Sequence, residues 1–213
     1  MIYVSLGKPE EALEYLDKAL DLYKKLKNPK GFIATLQIQG QVCYELLKDY
    51  EKALEIHKRV LKAAEMIGNL DLQASELTNI ANLYRIKNNY RKALKYYKSG
   101  LEIFERVQDT RGQANTIGNM GIVYLDLGNP QKALEHYLRA LEMHKKMDYL
   151  EGQARQIGNI GVLYLNTGRF EEALAYLHEA RDIFKKIKAK HLVRWIDGNI
   201  SIVKEALAKQ CGS

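Results

Sequence analysis

Proline and cysteine are scarce in this 213-residue chain, at 3 and 2 residues, and no stretch approaches the roughly 18 uninterrupted apolar residues of a membrane span. With 15 glycines, 46% hydrophobic and 28% charged residues, the composition excludes a collagen-like or disordered polymer. Cys43 and Cys211 stand far apart and outside any CxxC or CxxH spacing, which excludes structural zinc, a thioredoxin-type pair and a disulfide framework. Both read as reduced thiols. The first residues, MIYVSLGKPEEALEY, lack the basic flank and apolar run of a secretory signal, so the chain is expected in the cytoplasm and off the membrane. Catalytic motifs are missing as well: there is no GxSxG, Walker loop or HExxH. The five histidines fall at scattered helical phases, so neither catalysis nor a metal or cofactor is expected. The strings GNMG and GNIG lie inside helical runs and not between a strand and a helix, which removes a phosphate-loop reading. What remains is a modest surplus of charge, 33 Lys and Arg against 26 Asp and Glu, or +7. It raises an acidic partner or a nucleic acid as possibilities.

What the sequence has in abundance is repetition. The pair Ala-Leu recurs at Ala12, Ala53, Ala93, Ala133 and Ala173 with steps of 41, 40, 40 and 40. Asn79, Asn119, Asn159 and Asn199 keep the same step, as do Tyr44, Tyr84, Tyr124 and Tyr164. Within a unit, Ile117, Met120, Tyr124 and Leu127 form one apolar stripe at helical spacing, and Ala133, Leu134, Tyr137, Leu138, Ala140 and Leu141 form a second. Gly128-Asn129-Pro130 between them is a helix stop and restart, since Gly suits the left-handed position after a helix and Pro the first turn of the next. Each unit is thus predicted to be a helical hairpin. First helices are expected over 30–47, 70–87, 110–127 and 150–167, and second helices over 9–27, 50–67, 90–107, 130–147 and 170–187.

The small residue three before the tyrosine (Ala81, Gly121, Gly161), the turn glycines (Gly7, Gly128, Gly168) and the series Ala133, Tyr137, Ala140 resemble the tetratricopeptide repeat family over essentially the whole chain. Units of 40 residues, where the common form has fewer, look like the longer-helix variety of Pins/LGN-type scaffolds and several bacterial regulators. The resemblance implies an all-α, right-handed superhelical solenoid of antiparallel hairpins, stacked into one domain because a lone hairpin cannot bury its stripe. The expected divisions are a partial repeat at 1–29, full repeats at 30–69, 70–109, 110–149 and 150–189, and a capping helix at 190–209. In that last helix Asp197, Ser201 and Lys204 replace the residues that meet a second helix and turn that face to water, while Trp195 or Ile196, Ile200, Val203 and Leu207 pack inward. Met1 to Gly7 reads as the end of a first helix with Tyr3 in the tyrosine slot. This fits a piece of a longer protein or a natural chain with a frayed start, and the uncapped end would favour self-association.

Function in this family resides on the concave wall built by the first helices. Counting back from the repeat tyrosine, residues nine, five and two before it share the groove-facing stripe. They include Asn115 and Arg155, then Asn79, Asn119, Asn159 and Asn199, then Asn82. A row of carboxamides can meet both the N–H and the C=O groups of an extended peptide whatever its side chains. Alternatively, each Asn bonds a neighbouring helix. Gly118, Gly158 and Gly198, six before the tyrosine slot, call for close approach of either a ligand backbone or another helix. A chaperone-tail carboxylate clamp is matched at Asn82, Asn119 and Arg155, but Thr78 and Asn159 stand where it needs cations, which argues against it. The expected function is a non-catalytic scaffold that binds a peptide segment of a partner protein, with a bias toward acidic ones anchored at Arg155. A peptide-sensing receptor module of a longer protein is the first alternative. Nucleic-acid binding through residues 85–98, where six Lys and Arg mix with Tyr90, Tyr96 and Tyr97, is the second. It is disfavoured because Tyr90 and Tyr97 occupy core slots and the lysines an outer helix.

Overall fold

In a computed structural model, which describes residues 8–211, ten helices follow one another without a strand among the described residues. They are α1 Pro9–Lys25, α2 Pro29–Glu45, α3 Tyr50–Met66, α4 Leu70–Ile86, α5 Tyr90–Arg106, α6 Thr110–Asp126, α7 Pro130–Lys146, α8 Leu150–Asn166, α9 Phe170–Lys186 and α10 Lys190–Cys211. The expected spans hold to within one or two residues at each end. The expectations for Met1–Gly7 lie outside the described residues.

Nine of the helices have 17 residues and the tenth 22, and six of them begin at a side-chain cap. Asn28, Asp49, Asn69, Asn89, Asp109 and Asn129 each cap the next helix, their side chains accepting from the backbone N–H three residues on. The residue before each of these caps is left-handed: Lys27, Lys48, Gly68, Asn88, Gln108 and Gly128. Glycine was expected in that conformation at Gly128 and Gly168, and both have it; Lys48, Gln108, Asp148 and Lys188 adopt it as well, held there by the helices on either side. Asp109→Ala removes an acceptor at 2.9 Å from the Gly112 N–H and should cost about 1 kcal/mol in urea unfolding. An unchanged midpoint would show that the cap is replaced by water.

The helices gather into two compact units, residues 1–107 and 108–213. In the first, Leu36, Ala53, Val60, Ile80, Leu83 and Tyr97 are buried between successive helices. Cys43 is fully buried there, and that burial pushes its thiol up from the ordinary value and keeps it unreactive. In the second, Tyr137, Ile157, Ile160, Leu177 and Phe184 form a core closed by Leu192, Ile196, Ile200 and Val203 of α10. Asp197, Ser201 and Lys204 are exposed, as expected of a cap. Of the two residues left open for inward packing, Ile196 is buried, whereas Trp195 is 40% exposed. The last hairpin adapts further: Arg181 stands in the register of Leu61, Leu101 and Leu141, and its Nη1 lies 3.5 Å from Asp197 Oδ1.

A recurrent contact fixes three of the hairpins at their turns. The repeat tyrosine meets the residue twelve later, with ring centroids 5.3 Å apart for Tyr84 and Tyr96, 4.8 Å for Tyr124 and His136, and 5.4 Å for Tyr164 and Tyr176. A cation covers the ring in each case: Lys92, Lys132 and Arg169.

Candidate functional site

The expected groove residues fall on α4 in the first unit and on α6, α8 and α10 in the second. In the first unit Asn79 and Asn82 share an open depression of about 330 Å³ with Gln37, Gln41 and Tyr44 of α2. The Asn82 carboxamide oxygen accepts the Tyr97 hydroxyl, so half of that side chain is committed to α5. Gln39, in the ladder register one repeat earlier, is buried and donates to Asp17 Oδ1 at 2.6 Å, which ties α2 to α1. A larger hollow of about 640 Å³ opens between α1 and α2 beside Asp17, Tyr23 and Arg59, and contains none of the expected site residues.

In the second unit Asn115 is exposed and Asn119 half-buried. Among the described residues the carboxamides of Asn79, Asn115 and Asn119 have no hydrogen-bond partner. Asn159 donates to Gln156 Oε1 at 3.4 Å and Asn199 to the Trp195 carbonyl at 2.9 Å, both within their own helices. Only Gln39 and Asn82 tie one helix to another; the remaining Asn side chains of the row do not. Arg155 is exposed, and its Nε and Nη2 both donate to Glu151 Oε1, at 3.1 and 2.9 Å, a turn earlier on α8. A partner carboxylate at Arg155 has to compete with that pair, an exposed contact of about 0.3–0.5 kcal/mol.

Two glycines of this register, Gly118 and Gly158, lie against a neighbouring helix. A Cβ on Gly118 would lie 2.7 Å from the Gln156 carboxamide, and one on Gly158 would lie 2.9 Å from Ile196 Cδ1 and 3.1 Å from the Trp195 indole. Gly198, on the last described helix, has nothing within 4 Å. Trp195, which the sequence left as a candidate for inward packing, and Ile202, which it did not single out, are surface residues. They flank Asn199 at helical spacing and are 40% and 54% exposed, a face of mixed apolar and amide character on α10. Their register, nine and two before the tyrosine slot, matches Arg155 and Asn82 and was the available signal.

The basic run divides between core and surface. Tyr97 is fully buried, Lys87 pairs with Glu51, and Lys92 lies 5.3 Å over the Tyr84 ring. No group of three or more His, Cys, Asp or Glu side chains among the described residues could hold a metal ion.

Successive antiparallel helical hairpins define a helical-repeat solenoid. The chain belongs to the tetratricopeptide repeat family: sequence models described as tetratricopeptide repeats match residues 1–66 and 72–146, and 119–186. It is 28% identical over 80 residues to tetratricopeptide repeat protein 29 of Trypanosoma brucei brucei, a stretch covering 38% of this chain and 16% of that protein. The fold is similar to the crystal structure of BtubC (BKLC) from P. vanneervenii, with a TM-score of 0.70 at 17% identity over 96% of this chain and 93% of that one. It is also similar to a Rap protein crystallised in complex with competence and sporulation factor, with a TM-score of 0.64 at 17% identity over 98% of this chain and 62% of the other.

Proposed function

We propose that the chain is a non-catalytic scaffold that holds a peptide segment of a partner protein against the amide-rich faces of its first helices. The observation that carries this is the set of carboxamides at Asn79, Asn115 and Asn119, half-buried or exposed on their helices, that have no hydrogen-bond partner among the described residues. A helix-interior Asn has poorer helix propensity than Ala, so an unused one in register recommends a use outside the chain. Asn82, Asn159 and Asn199 keep part of their capacity and extend the row. The surplus of +7 and the exposed Arg155 favour acidic segments. A cytoplasmic setting fits the buried, unpaired Cys43. No helix among the described residues is long and apolar enough to cross a membrane.

A peptide-sensing role within a longer protein is the second reading, favoured by the likeness to the factor-bound Rap protein, of which this chain spans 62%. Both readings are tested by retrieving partners with the full chain and mapping the retained peptide. Asn119→Ala should weaken that peptide about tenfold, the upper range for loss of one hydrogen bond, and Arg155→Glu should weaken an acidic peptide more. Helicity should not change. If both variants bind like the parent, the amide row is not the site.

A further inference from the structure

The depression between α2, α3 and α4 is formed by residues that break the repeat. Where Ile80, Met120, Ile160 and Ile200 fill the core, the first full hairpin has Gly40. Where Tyr97, Tyr137 and Leu177 are buried, it has His57. Gln41 stands in the slot of Ala81, Gly121 and Gly161. On the facing helix, the slot of Leu36, Thr116, Gln156 and Ile196 holds Glu76, which is 1% exposed. These four departures meet at one place. A Cβ on Gly40 would lie 3.1 Å from His57 Nε2, so a branched side chain there would displace the ring. His57 Nδ1 is 2.6 Å from Glu76 Oε2, and Gln37 Nε2 donates to Glu76 Oε1 at 3.2 Å.

Exchanging a large apolar side chain for Gly and a phenol for an imidazole empties volume that the other hairpins fill, and burying a carboxylate beside the void adds a desolvation cost. The other hairpins hold Tyr97, Tyr137 and Leu177 in the His57 slot and Leu36, Thr116, Gln156 and Ile196 in the Glu76 slot, and none of them buries a carboxylate there. The lining also has a definite chemical character. It includes the carboxylates of Glu45 and Glu76, the amides of Gln37, Gln41, Asn79 and Asn82, the Tyr44 ring and the His57 imidazole, with no Lys or Arg. A carboxylate has about four acceptor positions, of which Glu76 uses one for each of its two donors.

We infer that this depression is a subsite for a Lys or Arg side chain of the bound segment. The carboxylates and amide oxygens receive the cationic head, and the half-exposed Tyr44 ring flanks its stem. The inference rests on the peptide-scaffold reading and specifies its contact in the first unit.

The test is selection of a displayed random 12-residue peptide library on the full chain, followed by synthesis of the enriched peptide with its basic residue intact or replaced by norleucine. The selected peptides should share a Lys or Arg position. Its replacement should weaken binding about tenfold on the parent, the order of one charge-assisted bond, and less than about twofold on Glu76→Gln. Gln41→Trp changes an exposed residue at the rim and occludes the depression while leaving the Glu76 carboxylate in place. It gives the same comparison if Glu76→Gln does not fold. Enriched peptides with no shared basic position, or an equal loss on parent and variant, would overturn the subsite and leave the scaffold reading standing. A selection that enriches nothing would overturn both.

Discussion

Replacing His144 by Phe should make the second unit more stable and remove part of its sensitivity to acid. His144 is fully buried, and neither ring nitrogen has a hydrogen-bond partner. Its ring packs on Gly152, whose Cβ, if added, would lie 2.5 Å from Nδ1, and lies edge-on to Tyr149 at 5.5 Å. In the same register the chain has Phe104 and Phe184, both buried, so the slot is built for an aromatic hydrocarbon. An unmet buried donor or acceptor costs about 1–3 kcal/mol, and the Phe variant should recover most of that in urea unfolding at pH 7. The pH dependence follows from the charge. Burial first, and then the nearby Arg111 guanidinium, hold the imidazole below its ordinary value of 6.5. Arg111 comes from α6 and also donates to the Tyr149 hydroxyl at 2.8 Å. Between 6.5 and the depressed native value, the unfolded chain binds a proton that the folded chain does not. Stability is therefore retained above 6.5 and lost as pH falls through that window, by up to about 1.4 kcal/mol per pH unit. His144→Phe should flatten this segment of the stability curve relative to the parent. Parallel curves would mean that the ring is hydrated or charged in the native state.

The repeat itself was legible because three markers kept one phase, and the helices followed from apolar spacing and the turns from Gly128-Asn129-Pro130. The left-handed Lys48, Gln108 and Lys188 were not legible as turn residues, because nothing in their own chemistry selects that conformation. They adopt it because the chain must reverse within three or four residues between one helix and the next at each of these turns. The groove was legible as a register but not as a set of contacts. Whether Gly118 faced a ligand or a helix depended on which residue of the following first helix lies opposite, and that offset is set by packing across 38 residues, to Gln156. The choice between Trp195 and Ile196 hinged on a rotation of one position, about 100° on a helix, which apolar spacing alone does not resolve. The buried pair of His57 and Glu76 was hidden for another reason. Each is ordinary in its own stretch of sequence, and the anomaly shows only when each is compared with its own slot in the other repeats and the two slots are known to touch.

Alanine substitutions at the first-helix glycines should have opposite signs according to what stands opposite. In an open helix interior Gly→Ala gains about 0.5–1 kcal/mol, and Gly198, with nothing within 4 Å of a new Cβ, should show that gain. Gly121 and Gly161 should lose stability instead. A Cβ at Gly121 would sit 2.7 Å from the Tyr137 ring and 3.2 Å from the Ala133 carbonyl oxygen; at Gly161 it would sit 2.8 Å from Leu177 Cγ and 3.2 Å from the Leu177 backbone nitrogen. Tyr137 and Leu177 are buried on all sides, and the backbone atoms cannot move without separating the two helices of the hairpin. Overpacking of this kind costs about 1–3 kcal/mol, which exceeds the gain in propensity, so both variants should unfold at lower urea than the parent. Gly158 lies between these cases, since a Cβ there meets only the outer ends of Ile196 and of the partly exposed Trp195. The indole can tilt outward, so Gly158→Ala should leave stability within about 0.5 kcal/mol of the parent while changing the exposed face of α10. Peptide affinity separates the two roles of this position. A loss of binding without a loss of stability places Trp195 in contact with the bound segment, whereas unchanged binding leaves Gly158 and Trp195 as packing residues alone.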